Sequence, residues 1–171
     1  MQRFCIEPER HNSNGKEDHM SEGLDIIIVD DEPAVCRMLS EDIVQFFVWG
    51  DIIPFTDVEA ASIYCLNRKS SIAVFIVDVF LDGKSGFLFL DSICEKYRSI
   101  YEDTIIITRN ASDDIVDMCL ASDINYLLEK PVRHYALQMA VRAIAWKYIK
   151  FAARLRDDPE YCKSCNRLIG R

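Results

Sequence analysis

Five short apolar runs, rich in β-branched residues, punctuate the chain at 26–29, 51–55, 73–77, 104–108 and 125–128. Each is short enough for a strand, and none alternates in the way of a sheet with one wetted face. Helical patterns lie between and after them, at 33–47, 57–67, 85–96, 112–121 and 131 to about 156. Strands apolar on both faces and joined by helices pack as a parallel sheet covered on both sides. The pattern therefore predicts an α/β, doubly wound (βα)5 domain over residues 24–150. Pro33 suits a first helical position behind Asp31 and Glu32, and Ser85 and Ser112 suit caps for the third and fourth helices.

The 171 residues are enough for one core and too few for two independent domains. With 28 acidic against 20 basic side chains, a net charge of −8 argues against a phosphate-backbone binder, and no DNA contact is expected. The charge is uneven, since residues 1–131 hold 11 Lys/Arg against 25 Asp/Glu, whereas residues 132–171 hold 9 against 3. An acidic body thus carries a basic tail. No apolar run approaches the ~20 residues that span a bilayer, and the N-terminus lacks the apolar segment of a signal peptide, so a cytoplasmic protein without membrane insertion is expected. Residues 1–23 are polar and aperiodic, which predicts disorder. Gly15-Lys16-Glu17 requires purine-rich codons of the kind found in ribosome-binding sites, which makes Met20 the expected start. Seven cysteines fit no disulfide framework, and Cys36, Cys65, Cys94 and Cys119 fall in apolar segments as small hydrophobes.

In a doubly wound sheet, ligands bind outside the carboxyl ends of the strands where strand order reverses. Asp30 and Asp31 follow the first strand, Asp78 ends the third, Thr108 the fourth and Lys130 the fifth. Singly, an acidic pair is a helix cap, Thr108 a strand end and Lys130 a surface lysine. Together they make a site. Three convergent carboxylates repel one another unless a cation neutralises them, and Mg2+ suits oxygen ligands of this kind. Lys130 adds a compact positive charge beside Asp78. Asp78 is then placed to act as nucleophile toward a phosphoryl group, with Thr108 donating to one of its oxygens.

These residues resemble the receiver domain of two-component response regulators, of the stand-alone, CheY-like kind. IIIVDDEP matches the family's first strand and acidic pair, VDVFLDGKSG its phosphoacceptor loop, IIIT its fourth strand and LLEKP its fifth. The resemblance covers roughly residues 24–150, with spacings of 30 positions from Asp78 to Thr108 and 22 from Thr108 to Lys130. It implies a flavodoxin-like sheet of strand order 2-1-3-4-5 and an Asp78 phosphorylated by a histidine kinase or phosphotransfer protein. It also implies a Mg2+ held by Asp30, Asp31, Asp78 and the Phe80 carbonyl, and a cis bond before Pro131. The expected role is a phosphorelay signalling module, not an enzyme beyond intrinsic autophosphorylation and autodephosphorylation, with output through contact with a downstream protein. A phosphorylation-independent scaffold is the alternative. A Mg2+-dependent aspartyl-phosphate phosphatase fits less well, because it requires Asp-x-Asp where this chain has Asp30-Asp31-Glu32.

Three positions depart from the family. Arg109 stands where a small residue is usual, and is expected either to screen the phosphoryl site or to point away into solvent. Leu127 replaces the usual aromatic, with Tyr126 one residue early and so on the opposite strand face unless a local shift lets it substitute. Asp82 stands where proline is common, and its added charge predicts a modest effect.

The last helical pattern outruns what the sheet needs, so residues 151–171 read as a helix extension and a basic, cysteine-containing tail. Met139, Trp146, Ile149 and Phe151 exceed one core-facing stripe, which predicts a homodimer or docked partner on this helix. Cys162 and Cys165 have the spacing of half a zinc site, of a redox pair or of two incidental thiols.

Overall fold

The structure, a computed structural model, describes residues 23–169. The expectations for residues 1–22, including a start at Met20, lie outside the described residues. Five parallel strands form one sheet: β1 (Asp25–Val29), β2 (Ile52–Phe55), β3 (Ala73–Asp78), then β6 (Thr104–Thr108) and β7 (Tyr126–Glu129). Two-residue strands β4 (Phe80–Leu81) and β5 (Lys84–Ser85) make a separate antiparallel hairpin between β3 and β6. The sheet order is β2-β1-β3-β6-β7, which is 2-1-3-4-5 counted over the sheet's own strands. Strand order reverses between β1 and β3, so the crevice expected of this architecture opens beyond their carboxyl ends.

Helices α1 (Pro33–Ile43) and α5 (His134–Asp157) cover one face, and α2 (Val58–Asn67), α3 (Gly86–Ile93) and α4 (Asp113–Ala121) the other. The two-residue period of a strand divides the apolar runs between two cores. Ile26 and Ile28 face Leu39, Leu137 and Val141, whereas Ile27 and Val29 face the side of Leu90 and Ile115. β1, β3 and β6 are buried along their whole length, and this accounts for their unbroken apolar sequences.

The helix starts differ in how they are capped. Asp57 accepts the amide hydrogen of Ala60 and Ser85 that of Phe87. Ser112 stands at the cap position of α4 without a side-chain cap bond, and the helix end is instead favoured by Asp113 and Asp114 in its first turn. α5 begins at His134, not at 131, because Arg133 is still extended (φ −82°, ψ 128°). After α5 the chain turns at Asp158 into a further helix, α6 (Pro159–Ile169), in the segment expected to be a tail. Tyr161 of α6 meets the Phe151 ring edge-on, with the Arg154 guanidinium 3.9 Å from its centroid.

Two buried polar clusters tie elements together. Arg68 pairs with Asp25 at 2.6 Å, and the Tyr97 hydroxyl donates to the Cys65 carbonyl at 3.0 Å. Asp103, just before β6, accepts from Lys147 at 2.5 Å and from the Tyr148 hydroxyl, both on α5. Among the described residues no helix is long and apolar enough to cross a membrane.

Candidate functional site

The carboxyl ends of β1, β3, β6 and β7 deliver Asp30, Asp78, Thr108 and Lys130 to one place. Asp30 is fully buried and Asp78 nearly so. Asp30, Asp31 and Asp78 each bring a carboxylate oxygen within 4.8 Å of the others. Between them reaches Lys130, whose Nζ lies 2.7 Å from Asp30 Oδ2, 2.5 Å from Asp78 Oδ2 and 3.3 Å from Glu32 Oε1. Gly86 makes the close fit possible from below, since a Cβ there would stand 2.1 Å from the Asp78 carbonyl oxygen.

Burial raises the Asp30 pKa, against the pull of the Lys130 ammonium and of the Glu32 amide. For Lys130, burial alone would lower the pKa, but the bonds to Asp30 and Asp78 outweigh it and hold the ammonium protonated. Glu32 is held below its ordinary range by hydrogen bonds from Arg109 first and Lys130 second.

The residues fit a small, hard cation. Asp30 Oδ1 accepts the Glu32 amide at 3.0 Å, whereas buried Oδ2 has the close ionic contact with Lys130 but no properly directed hydrogen bond. Three carboxylates, each with an oxygen within 4.8 Å of the others, suit a divalent ion that takes oxygen ligands. Phe80, whose carbonyl is the further expected ligand, lines the same cleft as Asp31, Asp78, Thr108 and Arg109.

The hairpin between β3 and α3 shapes this cleft. Asp82 and Gly83 form its two-residue turn with φ of +43° and +79°, and the Asp82 amide donates to Asp31 Oδ2 at 3.2 Å. A proline fits neither that φ nor the donor role. The departure at Asp82 therefore works through the backbone, in addition to the charge that its side chain adds.

Thr108 is fully buried, and its hydroxyl donates to the Asn110 carbonyl at 3.2 Å while accepting from the Asn110 amide. Arg109 does not turn away from the cleft, since its Nη2 lies 2.8 Å from Glu32 Oε1. Tyr126 packs with the α1 and α5 core and Leu127 with the opposite one, so no local shift brings Tyr126 onto the face of Leu127. The Lys130–Pro131 peptide is cis. Cys162 and Cys165 lie half-buried on α6, and among the described residues the three-member groups able to ligate a metal do not include them. Glu32, read from sequence only as a helix-start residue, is the unexpected member of the site. Nothing local in the sequence marks its contact with Lys130, 98 positions away.

The family model of the response regulator receiver domain matches residues 26–142. No curated protein sequence matches the chain. Among solved structures, the chemotaxis protein CheY4 of Vibrio cholerae is 19% identical with a TM-score of 0.61, over 71% of this chain and 98% of its own. A response regulator receiver protein of Pseudoalteromonas atlantica is 20% identical with a TM-score of 0.59, over 71% and 96% respectively. DrrB of Thermotoga maritima, an OmpR/PhoB homologue, is 22% identical with a TM-score of 0.59, over 73% of this chain and 54% of its own. At these identities the likeness is one of fold.

Proposed function

The chain belongs to the response regulator receiver domain family, and from that premise we propose that its Asp78 accepts a phosphoryl group within a two-component phosphorelay. The single observation that carries this reading is the convergence of Lys130 on both Asp30 and Asp78, in a cleft where three carboxylates lie within 4.8 Å. The donor is a histidine kinase or a phosphotransfer protein. An Asp78 oxygen attacks phosphorus, a P–O bond forms, and the P–N bond to the donor histidine breaks with its electron pair leaving on nitrogen.

Lys130 neutralises charge on the carboxylate and the incoming group, and its contact with Asp30 fixes where that charge sits. The Phe80 amide, donating to Asp78 Oδ1 at 3.2 Å, holds the carboxylate in one orientation. The Thr108 hydroxyl is bound only locally, to Asn110, so rotation frees it to donate to a phosphoryl oxygen. A Mg2+ held by Asp30, Asp31, Asp78 and the Phe80 carbonyl would supply further positive charge to the phosphoryl oxygens.

The protein is a cytoplasmic signalling domain whose altered surface contacts a downstream protein, with the long α5 and its α6 extension as the dimer or partner face. Incubation with Mg2+ and acetyl phosphate, followed by intact mass, tests the assignment. A gain of one phosphoryl group that is lost in Asp78→Asn is the expected result. Failure of the wild-type chain to gain mass would favour the phosphorylation-independent scaffold, and steady turnover of the donor the phosphatase.

A further inference from the structure

Arg109 and Glu32 come from opposite rims of the cleft, one after β6 and the other between β1 and α1, yet their side chains meet at 2.8 Å. The Glu32 oxygen that holds Arg109 is also 3.3 Å from Lys130 Nζ. One carboxylate oxygen thus engages two cations at the mouth of a cleft whose lining includes Asp78, Thr108 and Arg109. The Arg109 side chain is 73% exposed, and ion pairs at that exposure are weak and readily exchanged. Arg109 already feels the charges of Asp78 and Asp31 in addition to that of Glu32.

We propose that Glu32 holds Arg109 in reserve, and that Arg109 transfers from Glu32 to the phosphoryl group once Asp78 carries it, closing the mouth of the cleft and prolonging the life of the aspartyl phosphate. The inference rests on Asp78 being the phosphoacceptor. A phosphoryl group offers about twice the charge of the carboxylate and three acceptor oxygens, so it outcompetes Glu32 for a guanidinium. The planar fork of arginine suits such an anion better than a point charge would.

The consequence is kinetic. Hydrolysis requires a water oxygen to attack phosphorus in line with the Asp78 oxygen; the new P–O bond forms as the bond to Asp78 breaks. The electron pair returns to the Asp78 carboxylate, and inorganic phosphate leaves with the water's oxygen. That water must arrive from the side opposite Asp78, through the mouth where Arg109 stands. Arg109 is therefore a positioning and shielding residue that acts after phosphoryl transfer.

The test follows phosphoryl loss by intact mass after the full chain is loaded with acetyl phosphate and Mg2+ and the donor is removed. Arg109→Ala is expected to lose its phosphoryl group about fivefold faster than wild type, because water gains the open path. Glu32→Gln, which removes the competitor, keeps it at least as long as wild type, and the double variant matches Arg109→Ala. Decay of Arg109→Ala at or below the wild-type rate overturns the proposal, as does a Glu32→Gln decay as fast as that of Arg109→Ala. A wild-type chain that never loads overturns the assignment of Asp78 and this inference with it. Loading with equal lifetimes overturns this inference alone.

Discussion

At Asp82 the backbone stands at a φ of +43°, where proline, fixed near −65°, cannot follow. Its amide is also the donor that orients Asp31, so one position sets both the turn and a candidate metal ligand. Asp82→Pro is expected to weaken Mg2+ binding about tenfold, as loss of a group supporting a ligand does. It also costs about 1–3 kcal/mol of stability through the forbidden conformation. Calorimetric titration with Mg2+ and urea unfolding read the two effects separately, and Asp82→Gly, which keeps both the φ and the amide, serves as the control. The Asp82-Gly83 pair is the two-residue hairpin signature and was available in the sequence. The pairing of Glu32 with Arg109 was not, because a separation of 77 positions brings no periodicity to bear on which rim side chains meet.

Among the elements, α5 is pinned to the sheet by two adjacent side chains. Lys147 and Tyr148 both engage Asp103, a residue only 3% exposed at the start of β6. Burial raises the Asp103 pKa, against the hydrogen bonds of Lys147 and Tyr148 that lower it. Between its ordinary and its raised value the native state binds the extra proton, so the Asp103 contribution to stability falls as pH rises through that window. Asp103→Asn cannot titrate. Its stability relative to wild type is expected to improve from pH 3.5 to pH 7, measured by urea unfolding at each end, and a constant difference would remove Asp103 from the pH dependence. The sequence marks α5 well through its apolar period, and its observed end at Asp157 agrees with the pattern reaching about 156. α6 does set half-buried Tyr161, Cys162 and Cys165 at helical spacing, but the segment is short and otherwise polar and exposed, Leu168 included, so its sequence reads as a polar tail.

For the molecule as a whole, the acidity has a structural address. Three of the excess carboxylates converge on one crevice, and Lys130 is the cation that Asp30 and Asp78 share. An ion that binds the folded crevice and not the unfolded chain stabilises by mass action. Mg2+ at a hundredfold its dissociation constant is expected to raise the unfolding free energy by about 2.7 kcal/mol. The urea midpoint with and without Mg2+ measures this, and Asp31→Asn should abolish most of the rise. The fold was legible because β1, β3 and β6 are apolar on both faces and permit only a covered parallel sheet. The crevice was legible because Asp30, Asp31, Asp78, Thr108 and Lys130 all follow or end strands at the same edge.

The 24 residues of α5 run about 36 Å, at ~1.5 Å per residue. The last of them packed on the sheet core is Ile149, directly after the Asp103 pin. Mechanically, the pin is a fulcrum at the root of β6, the strand whose far end carries Thr108, and the helix beyond it is the free arm of a lever. Over the eight residues from Lys150 to Asp157, roughly 12 Å of arm, a tilt of about 5° moves the tip by around 1 Å and carries α6 with it.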